Sequence, residues 1–345
     1  MSRPQALRFG AAALGALVLA YLVLYVLFFA GNAATKDWYT FILTILNSVT
    51  LAGLYFIVAS GFTLIFGLMR VVNMAHGSFF LLGGYLALTF QRNWVGKGDI
   101  GLQSSDITNF WTLWLIPLLL AAAIVAAGGL AMQQTVLRWN QGQDLRQALI
   151  TIAISIILAD QMLKYFGGVA KDMAIPKALD KFVNLRVQAV QYSLFRLFIL
   201  GVAVAIGIGL WLWLKRTRTG MVIRAGVDDR SMVSALGINI QLVFALTFMI
   251  GSALAAFGGV LGGTLGGLSP GVDNQFLLNS LIVVIIGGMG SLGGAAIGAL
   301  LYGFVDAFSD IYLPQGYSNY SVLLTFGLLV FVLAVRPFGL FGRAA

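Results

Sequence analysis

The chain has 345 residues, of which 60% are hydrophobic and only 10% are charged. A soluble domain is charged at about a quarter of its residues, so this composition predicts a polytopic membrane protein with a single membrane domain over residues 1–345. Cysteine and glutamate are absent and there is one histidine, which excludes disulfides, thiolate chemistry and multi-histidine metal sites.

The formal net charge of +9 comes from basic residues scattered between apolar segments, as membrane topology requires. We therefore expect a lipid bilayer around the chain and no nucleic-acid partner. No P-loop pattern occurs, so the chain itself is not expected to bind ATP. No cofactor is expected either.

A membrane-spanning helix needs about 20 apolar residues, and ten segments are candidates. The two segments that begin at Phe276 and Leu292 are short and adjoin, so the prediction is an all-α protein with eight to ten transmembrane helices. The candidates are Phe9–Ala30, Tyr39–Leu68, Met74–Phe90, Leu113–Leu137, Gln147–Phe166, Phe195–Leu214, Gln241–Leu265, Phe276–Met289, Leu292–Phe308 and Asn319–Val335.

The first candidate, Phe9–Ala30, is an uncharged run of 22 residues. Small residues at Gly31–Ala33 leave open a cleaved signal peptide. The run is longer than the apolar core of a usual signal peptide, so we expect an additional N-terminal span over residues 9–30.

The stretch 61–87, which includes the start of the third candidate, contains polar residues that a lipid-facing helix does not need. Asn73 and His76 lie within the apolar stretch 61–87. Polar groups at such positions face the protein interior or a water-filled path. In a continuous helix the two side chains share one face, which predicts that they line the solute path. The alternative is that His76 is a packing residue with a satisfied hydrogen bond.

The loop of residues 215–240 reads KRTRTGMVIRAGVDDRSMVSALGINI. Asp228 or Asp229 can cap a short helix over Ser231–Leu236, and Gly237 stands where a left-handed residue ends a helix. Met232, Ala235 and Leu236 gather on one side of this helix. That face predicts docking into a groove on a cytoplasmic partner, and an interfacial helix on lipid headgroups is the alternative.

Glycine pairs spaced four apart occur in two predicted spans, at Gly259, Gly263 and Gly267 and at Gly294 and Gly298. This spacing favours close helix packing. The alternative is a broken helix that lines a pathway, for which the stretch 287–294, with Gly288 and Gly290, is the best candidate.

Charge predicts the orientation of the chain. With the N-terminus inside, the inner segments hold twelve Lys or Arg and three Asp, as the positive-inside rule favours. Both termini are then cytoplasmic. The tryptophans are predicted to lie at the two membrane interfaces, and they are Trp38, Trp94, Trp111, Trp114, Trp139, Trp211 and Trp213.

Residues 73–85, NMAHGSFFLLGGY, resemble the N-x-A-H-G-x-F-x-x-x-G-A-Y signature of branched-chain amino-acid ABC importer permeases of the Liv type, and are closer to the LivH-like than to the LivM-like subunit. Arg224–Ile238 is similar to the coupling loop of that family, and residues 247–263 and 284–303 are similar to its later blocks. The resemblance extends from about Leu43 to Phe338. The first span and the long loop Arg92–Phe110 depart from the family pattern.

The resemblance implies a permease of the bacterial inner membrane, with a fold similar to type II ABC importers and broken glycine-rich helices. Such a subunit pairs with a second related permease, two cytoplasmic ABC ATPases and a periplasmic substrate-binding protein. It carries branched-chain or related amino acids. The implied pathway residues are Asn73, His76, Gly77, Gly288 and Gly290, and the implied coupling residues are Arg224, Asp228, Asp229, Met232, Leu236 and Gly237.

Two other interpretations remain open at this point. A stand-alone secondary transporter or channel would also use broken spans, although it would not need the loop of residues 215–240. An intramembrane enzyme is disfavoured because no nucleophile and base can be paired in the sequence.

Overall fold

The computed structural model describes residues 37–69, 72–96, 102–185, 190–228, 230–313 and 320–342. In these ranges the protein is helical apart from one antiparallel hairpin, β1 (Phe182–Leu185) and β2 (Val190–Ser193). The helices are α1 (Trp38–Met69), α2 (His76–Val95), α3 (Trp111–Asn140, with π-helical turns near both ends), α4 (Asp144–Phe166), α5 (Leu194–Arg216), α6 (Arg218–Asp228), α7 (Arg230–Ala235), α8 (Ile240–Gly266), α9 (Val272–Gly287), α10 (Leu292–Tyr312) and α11 (Ser321–Val335).

Nine of the ten predicted spans coincide with helices of the described chain, and the all-α polytopic prediction is confirmed. Six of these helices, α1, α3, α4, α5, α8 and α10, are long and apolar enough to cross a membrane. The apolar helices α9 and α11 are shorter. The tenth predicted span, Phe9–Ala30, lies outside the described residues.

The bundle has two ends, which we name by what they carry. The loop face carries residues 217–239 with α6 and α7, and the sequence predicts that it is cytoplasmic. The hairpin face carries β1 and β2, and the sequence predicts that it lies outside the cell.

Two antiparallel helices, α1 and α8, form the centre of the bundle. Their backbones touch where Gly61 faces Gly251, because a Cβ on Gly61 would lie 2.6 Å from the Gly251 carbonyl oxygen. Further along, Gly258 packs on Val58. Small residues allow this approach, and dispersion contacts between helices replace the hydrophobic effect that lipid cannot supply.

Each central helix is followed by a break and then by a second helix. Residues 72–75 separate α1 from α2, and residues 267–271 separate α8 from α9. The two second helices meet near their N-termini. Gly77 abuts the Asp273 backbone, and the rings of Phe80 and Phe276 stack with centroids 4.0 Å apart.

The close-packing interpretation is confirmed for Gly259, Gly294 and Gly298, whereas Gly263 meets the Leu268 side chain and Gly267 lies just after the end of α8. Gly259 lies directly on the Phe80 carbonyl group, and Gly298 lies on the Val283 carbonyl group. In both contacts there is no room for a side-chain carbon between the backbones of neighbouring helices.

The hairpin face is held by aromatic and polar contacts. The hydroxyl groups of Tyr192 and Thr50 are 2.8 Å apart and join β2 to α1. Burial raises the pKa of the Tyr192 phenol, so this group stays protonated at physiological pH. Tyr192 thus anchors the hairpin to the central helix.

The interfacial prediction is wrong for Trp114. This side chain is fully buried and packs on Phe110, Phe195 and Phe198, with ring centroids 5.5 to 6.0 Å apart. Phe195 and Phe198 at the start of α5 cover Trp114, so a position near a span end did not imply exposure. In contrast Trp111, three residues earlier, is exposed.

We predict that Gly259→Ala destabilises the protein by about 1–3 kcal/mol, because the added carbon overpacks the contact between α8 and Phe80. The measurement is the thermal unfolding midpoint in detergent. Gly128→Ala on α3 is the matched control, since a Cβ there meets nothing within 4 Å. It should be neutral or stabilising by up to about 1 kcal/mol, and equal midpoints for the two variants would contradict the packing described here.

Candidate functional site

Helix α2 begins beside the middle of α1 and not beside its end. The His76 ring contacts the backbone at Val58, which lies 20 residues after the first residue of α1 and 11 before the last. At 1.5 Å per residue this is about 16 Å from the nearer end. Non-helical backbone at such a depth is tolerated only inside the protein or along a water-filled cavity.

Asn73 lies in the break and not on the helix. Its carbonyl group accepts a hydrogen bond from the His76 backbone N–H at 3.2 Å, and its side-chain oxygen accepts one from Ala75 N–H at 3.1 Å. The prediction that Asn73 and His76 share a helix face is therefore wrong, because α2 starts only at His76. The two residues are nevertheless adjacent and buried.

His76 is fully buried and packs edge-to-face on Phe62, with ring centroids 5.3 Å apart. Its Nε2 atom lies 3.0 Å from the Val58 carbonyl oxygen. Because that oxygen only accepts, Nε2 carries the proton, and Nδ1 of the neutral ring is an acceptor. Among the described residues Nδ1 has no hydrogen-bond partner. The packing interpretation thus accounts for the hydrogen bond of Nε2 but gives Nδ1 no partner.

Asp273 was not predicted as a site residue, because it lies between the predicted spans Gln241–Leu265 and Phe276–Met289, in a segment that the charge pattern places outside the cell. This residue is only 3% exposed and lies in the first turn of α9, with its backbone against Gly77. A carboxylate in the first turn is favoured by the helix dipole. The turn Ser269-Pro270-Gly271 just before it was the available signal that a helix begins there.

Tyr85 extends this site from about two and a half turns further along α2. It is 1% exposed and close enough to Asp273 to interact with its charge, and its hydroxyl group has no hydrogen-bond partner in the described chain. We use the name helix junction for Asn73, His76, Gly77, Tyr85 and Asp273. At this junction two helix N-termini and several polar groups meet inside an apolar bundle.

A second polar cluster lies beside the junction, between α1, α9 and α10. The Tyr55 hydroxyl donates to Asp306 at 2.8 Å, and the Tyr302 hydroxyl donates to Asn279 at 2.8 Å. The two phenol rings pack edge-to-face with centroids 5.1 Å apart. Each of these polar side chains has a partner, so this cluster is structural, in contrast to the helix junction.

Helix α4 contacts the same region through hydroxyl groups. Thr151 accepts a hydrogen bond from Met74 N–H at 3.2 Å, and the hydroxyl groups of Ser78 and Ser155 are 2.8 Å apart. The break and the first turn of α2 are therefore held in place by α1 on one side and α4 on the other.

Gly288 and Gly290 lie apart from the junction, in the turn between α9 and α10. Both have positive φ angles, and Gly290 rests on Gly67 near the loop-face end of α1. The turn is covered by residues 339–342, where Leu340 N–H and Phe341 N–H bond to the carbonyl groups of Ile286 and Gly287. That Gly288 and Gly290 line a solute path stays a prediction.

The loop face carries the predicted coupling residues. The predicted helix over 231–236 is α7, one residue earlier, and Gly237 has the expected left-handed φ of 76°. Met232 and Leu236 are 64% and 70% exposed, and Arg224 is exposed on α6. Asp228 is the last residue of α6 and Asp229 lies outside the described residues.

Helix α6 rests on the end of α1, since a Cβ on Gly226 would lie 2.9 Å from the Leu68 side chain. The sequence did not predict that residues 218–228 are helical. In the ranges described, no three His, Asp or other metal-binding side chains lie close enough to hold a metal ion.

Comparison with known proteins agrees with this architecture. Residues 44–333 match the family model described as branched-chain amino acid transport system / permease component. The chain is 31% identical to the permease protein BraD of Pseudomonas aeruginosa, a high-affinity branched-chain amino acid transport protein, over 88% of this chain and 97% of that one. It is 30% identical to LivH of Escherichia coli over 90% of this chain and 98% of that one.

The similarity to LivM of Escherichia coli is weaker, at 24% identity over 84% of this chain and 68% of LivM. The prediction of a LivH-like rather than LivM-like chain is thereby confirmed. No solved structure matches the chain.

We predict that Tyr55 and Asp306 are energetically coupled. Tyr55→Phe removes the hydrogen-bond donor of the half-buried Asp306 carboxylate and lowers the free energy of unfolding by about 1.5–3 kcal/mol. In Tyr55→Phe/Asp306→Leu the penalty is smaller than the sum of the single variants, as thermal unfolding midpoints in detergent would show. Pairing Tyr55→Phe with Asp144→Asn, at an exposed position on α4, provides the control and should be additive.

Proposed function

This chain belongs to the family of branched-chain amino acid transport system permease components, and we propose that it forms half of the solute path of an ATP-driven importer for branched-chain or related amino acids. The observation that carries the proposal is the 30% identity to LivH along almost the whole of both chains. The discontinuous helices at the helix junction support it, because solute sites in transporters are commonly built from such breaks.

We propose that the other half of the path is a second, related permease. The similarity of this chain to LivM supports the idea of two homologous subunits that pair in one membrane complex. Helices α4, α5 and α11 expose much of their apolar surface, so they offer area for a partner subunit as well as for lipid.

We propose that two ABC ATPases drive transport from the loop face and that a substrate-binding protein delivers the solute to the hairpin face. Exposed Met232 and Leu236 beside the buried Val233 give α7 an outward apolar face on a fixed base. Basic residues surround it. This arrangement suits docking into a groove on a cytoplasmic ATPase, with both termini of the chain on the same side.

The proposal is tested by purifying the chain from its native membrane in mild detergent, with a tag at the C-terminus, and by identifying co-purifying proteins by mass spectrometry. We expect two ABC ATPases and a second permease. Recovery of an intact, monodisperse chain on its own would contradict the importer and favour a stand-alone transporter.

We predict that Leu236→Asp lowers the amount of co-purified ATPase at least about tenfold, because a charge replaces an apolar anchor in the interface. Val169→Asp is the control, since this equally exposed residue lies on the hairpin face. ATPase retention that is the same in both variants would show that α7 does not dock.

We predict that Asn73→Ala and His76→Ala each lower the initial rate of ATP-dependent leucine uptake about tenfold, because each removes a buried polar group at the helix junction. Ser48→Ala removes a buried hydroxyl group that bonds only within α1 and should leave the rate close to wild type. Unchanged uptake in both junction variants, at normal expression, would remove these residues from the path.

A further inference from the structure

The helix junction contains three buried polar groups without a hydrogen-bond partner in the described chain. His76 Nδ1, Asn73 Nδ2 and the Tyr85 hydroxyl group have no hydrogen-bond partner among the described residues, and all three side chains are at least 98% buried. Leaving such groups unpaired inside a protein is costly, so a buried cluster of them indicates a missing occupant.

The same junction contains a buried negative charge. Asp273 is 3% exposed, and within the described ranges no cationic side chain forms an ion pair with it. A carboxylate in a membrane domain is expensive without a partner and marks functional sites. Its own helix N-terminus and that of α2 stabilise it in part, and a cationic group would be its direct partner.

The available donors and acceptors fall into two sets. Asp273 and His76 Nδ1 can only accept hydrogen bonds, which suits an ammonium group with its three N–H donors. Asn73 Nδ2 and the Tyr85 hydroxyl can donate, and the first-turn N–H groups of α2 also attract negative charge. This combination is complementary to a molecule that carries one ammonium and one carboxylate group.

From these contacts we propose that the helix junction binds the zwitterionic backbone of an α-amino acid, with Asp273 as the ligand of its ammonium group. The inference rests on the proposed importer function and adds a specificity-determining residue to it. Apolar side chains that surround the junction, Phe62, Phe80 and Phe276 among them, offer the solute side chain an apolar environment.

The described conformation is closed around this site. Gly77 touches the Asp273 backbone, and a Cβ on Gly77 would lie only 2.9 Å from the Leu277 side chain. The solute therefore enters when the N-terminal ends of α2 and α9 separate. Leu277, on the same side of α9 as Asp273, is the position from which such an opening can be detected.

The test uses the absence of cysteine from the chain. Leu277→Cys is introduced into the complete transporter in nanodiscs, with cysteine-free partner subunits. Two methanethiosulfonate reagents of similar size, one with a trimethylammonium group and one with a sulfonate group, then label the thiol, and the ratio of their rates is measured. The ratio is informative because any effect of Asp273 on the thiol pKa acts equally on both reagents.

We expect the cationic reagent to react at least about tenfold faster than the anionic one, because Asp273 attracts it in a site of low dielectric constant. Millimolar L-leucine should slow this labelling. Asp273→Asn should abolish the preference, and Asp310→Asn, at an exposed position, should retain it. Unfolding midpoints confirm that each variant is folded.

Three results would overturn the proposal: no charge preference, a preference that survives Asp273→Asn, or labelling that leucine does not slow. The third result would indicate that the site admits only water and cations. Absence of labelling in every nucleotide state would overturn it as well. ATP-driven leucine uptake by the same unlabelled complex distinguishes a failure of the proposed binding site from a failure of the proposed importer function. If the complex takes up leucine but its labelling does not depend on Asp273, only the binding site is rejected. If leucine slows the labelling but ATP does not drive uptake, the importer function is rejected.

Discussion

The structure depends on direct contact between helix backbones at glycine. Where Gly61 meets Gly251, and where Gly259 meets the Phe80 carbonyl group, a single methyl group would separate the helices. Lipid gives these helices no hydrophobic reason to associate, so dispersion between closely packed atoms has to hold them together. All further features of the junction, including the meeting of α2 and α9, follow from how tightly α1 and α8 pack.

The breaks before α2 and α9 follow a second constraint. Each interrupts the helical hydrogen bonds in a region where lipid offers no replacement. Around residues 72–75 the replacement comes from local bonds to Asn73 and from hydroxyl groups on α4. The polar residues of this segment are therefore partly structural, and only some of their atoms remain unpaired in the described chain.

Hydropathy was sufficient to locate nine of the described helices, because each contains a predicted apolar span, but it did not locate α6 or α7. It could not locate the start of α2, since Met74 and Ala75 continue the apolar run although their backbone is not helical. Asp273 was misassigned for a related reason. A residue just after a Pro-Gly turn is expected at a surface, and only the position of α2 buries it. The exposed face of α7 was predictable because its apolar residues recur at helical spacing in a segment that is otherwise polar.

Helix α1 links the two faces without a break over 32 residues. Its contact with α8 at Gly61 lies about 10 Å from Leu68, where α6 rests, and about 16 Å from Thr50, where the hairpin is attached. A tilt about that contact moves the two ends in opposite directions. A shift of α6 toward the bundle would then be accompanied by a larger movement of the hairpin in the opposite direction.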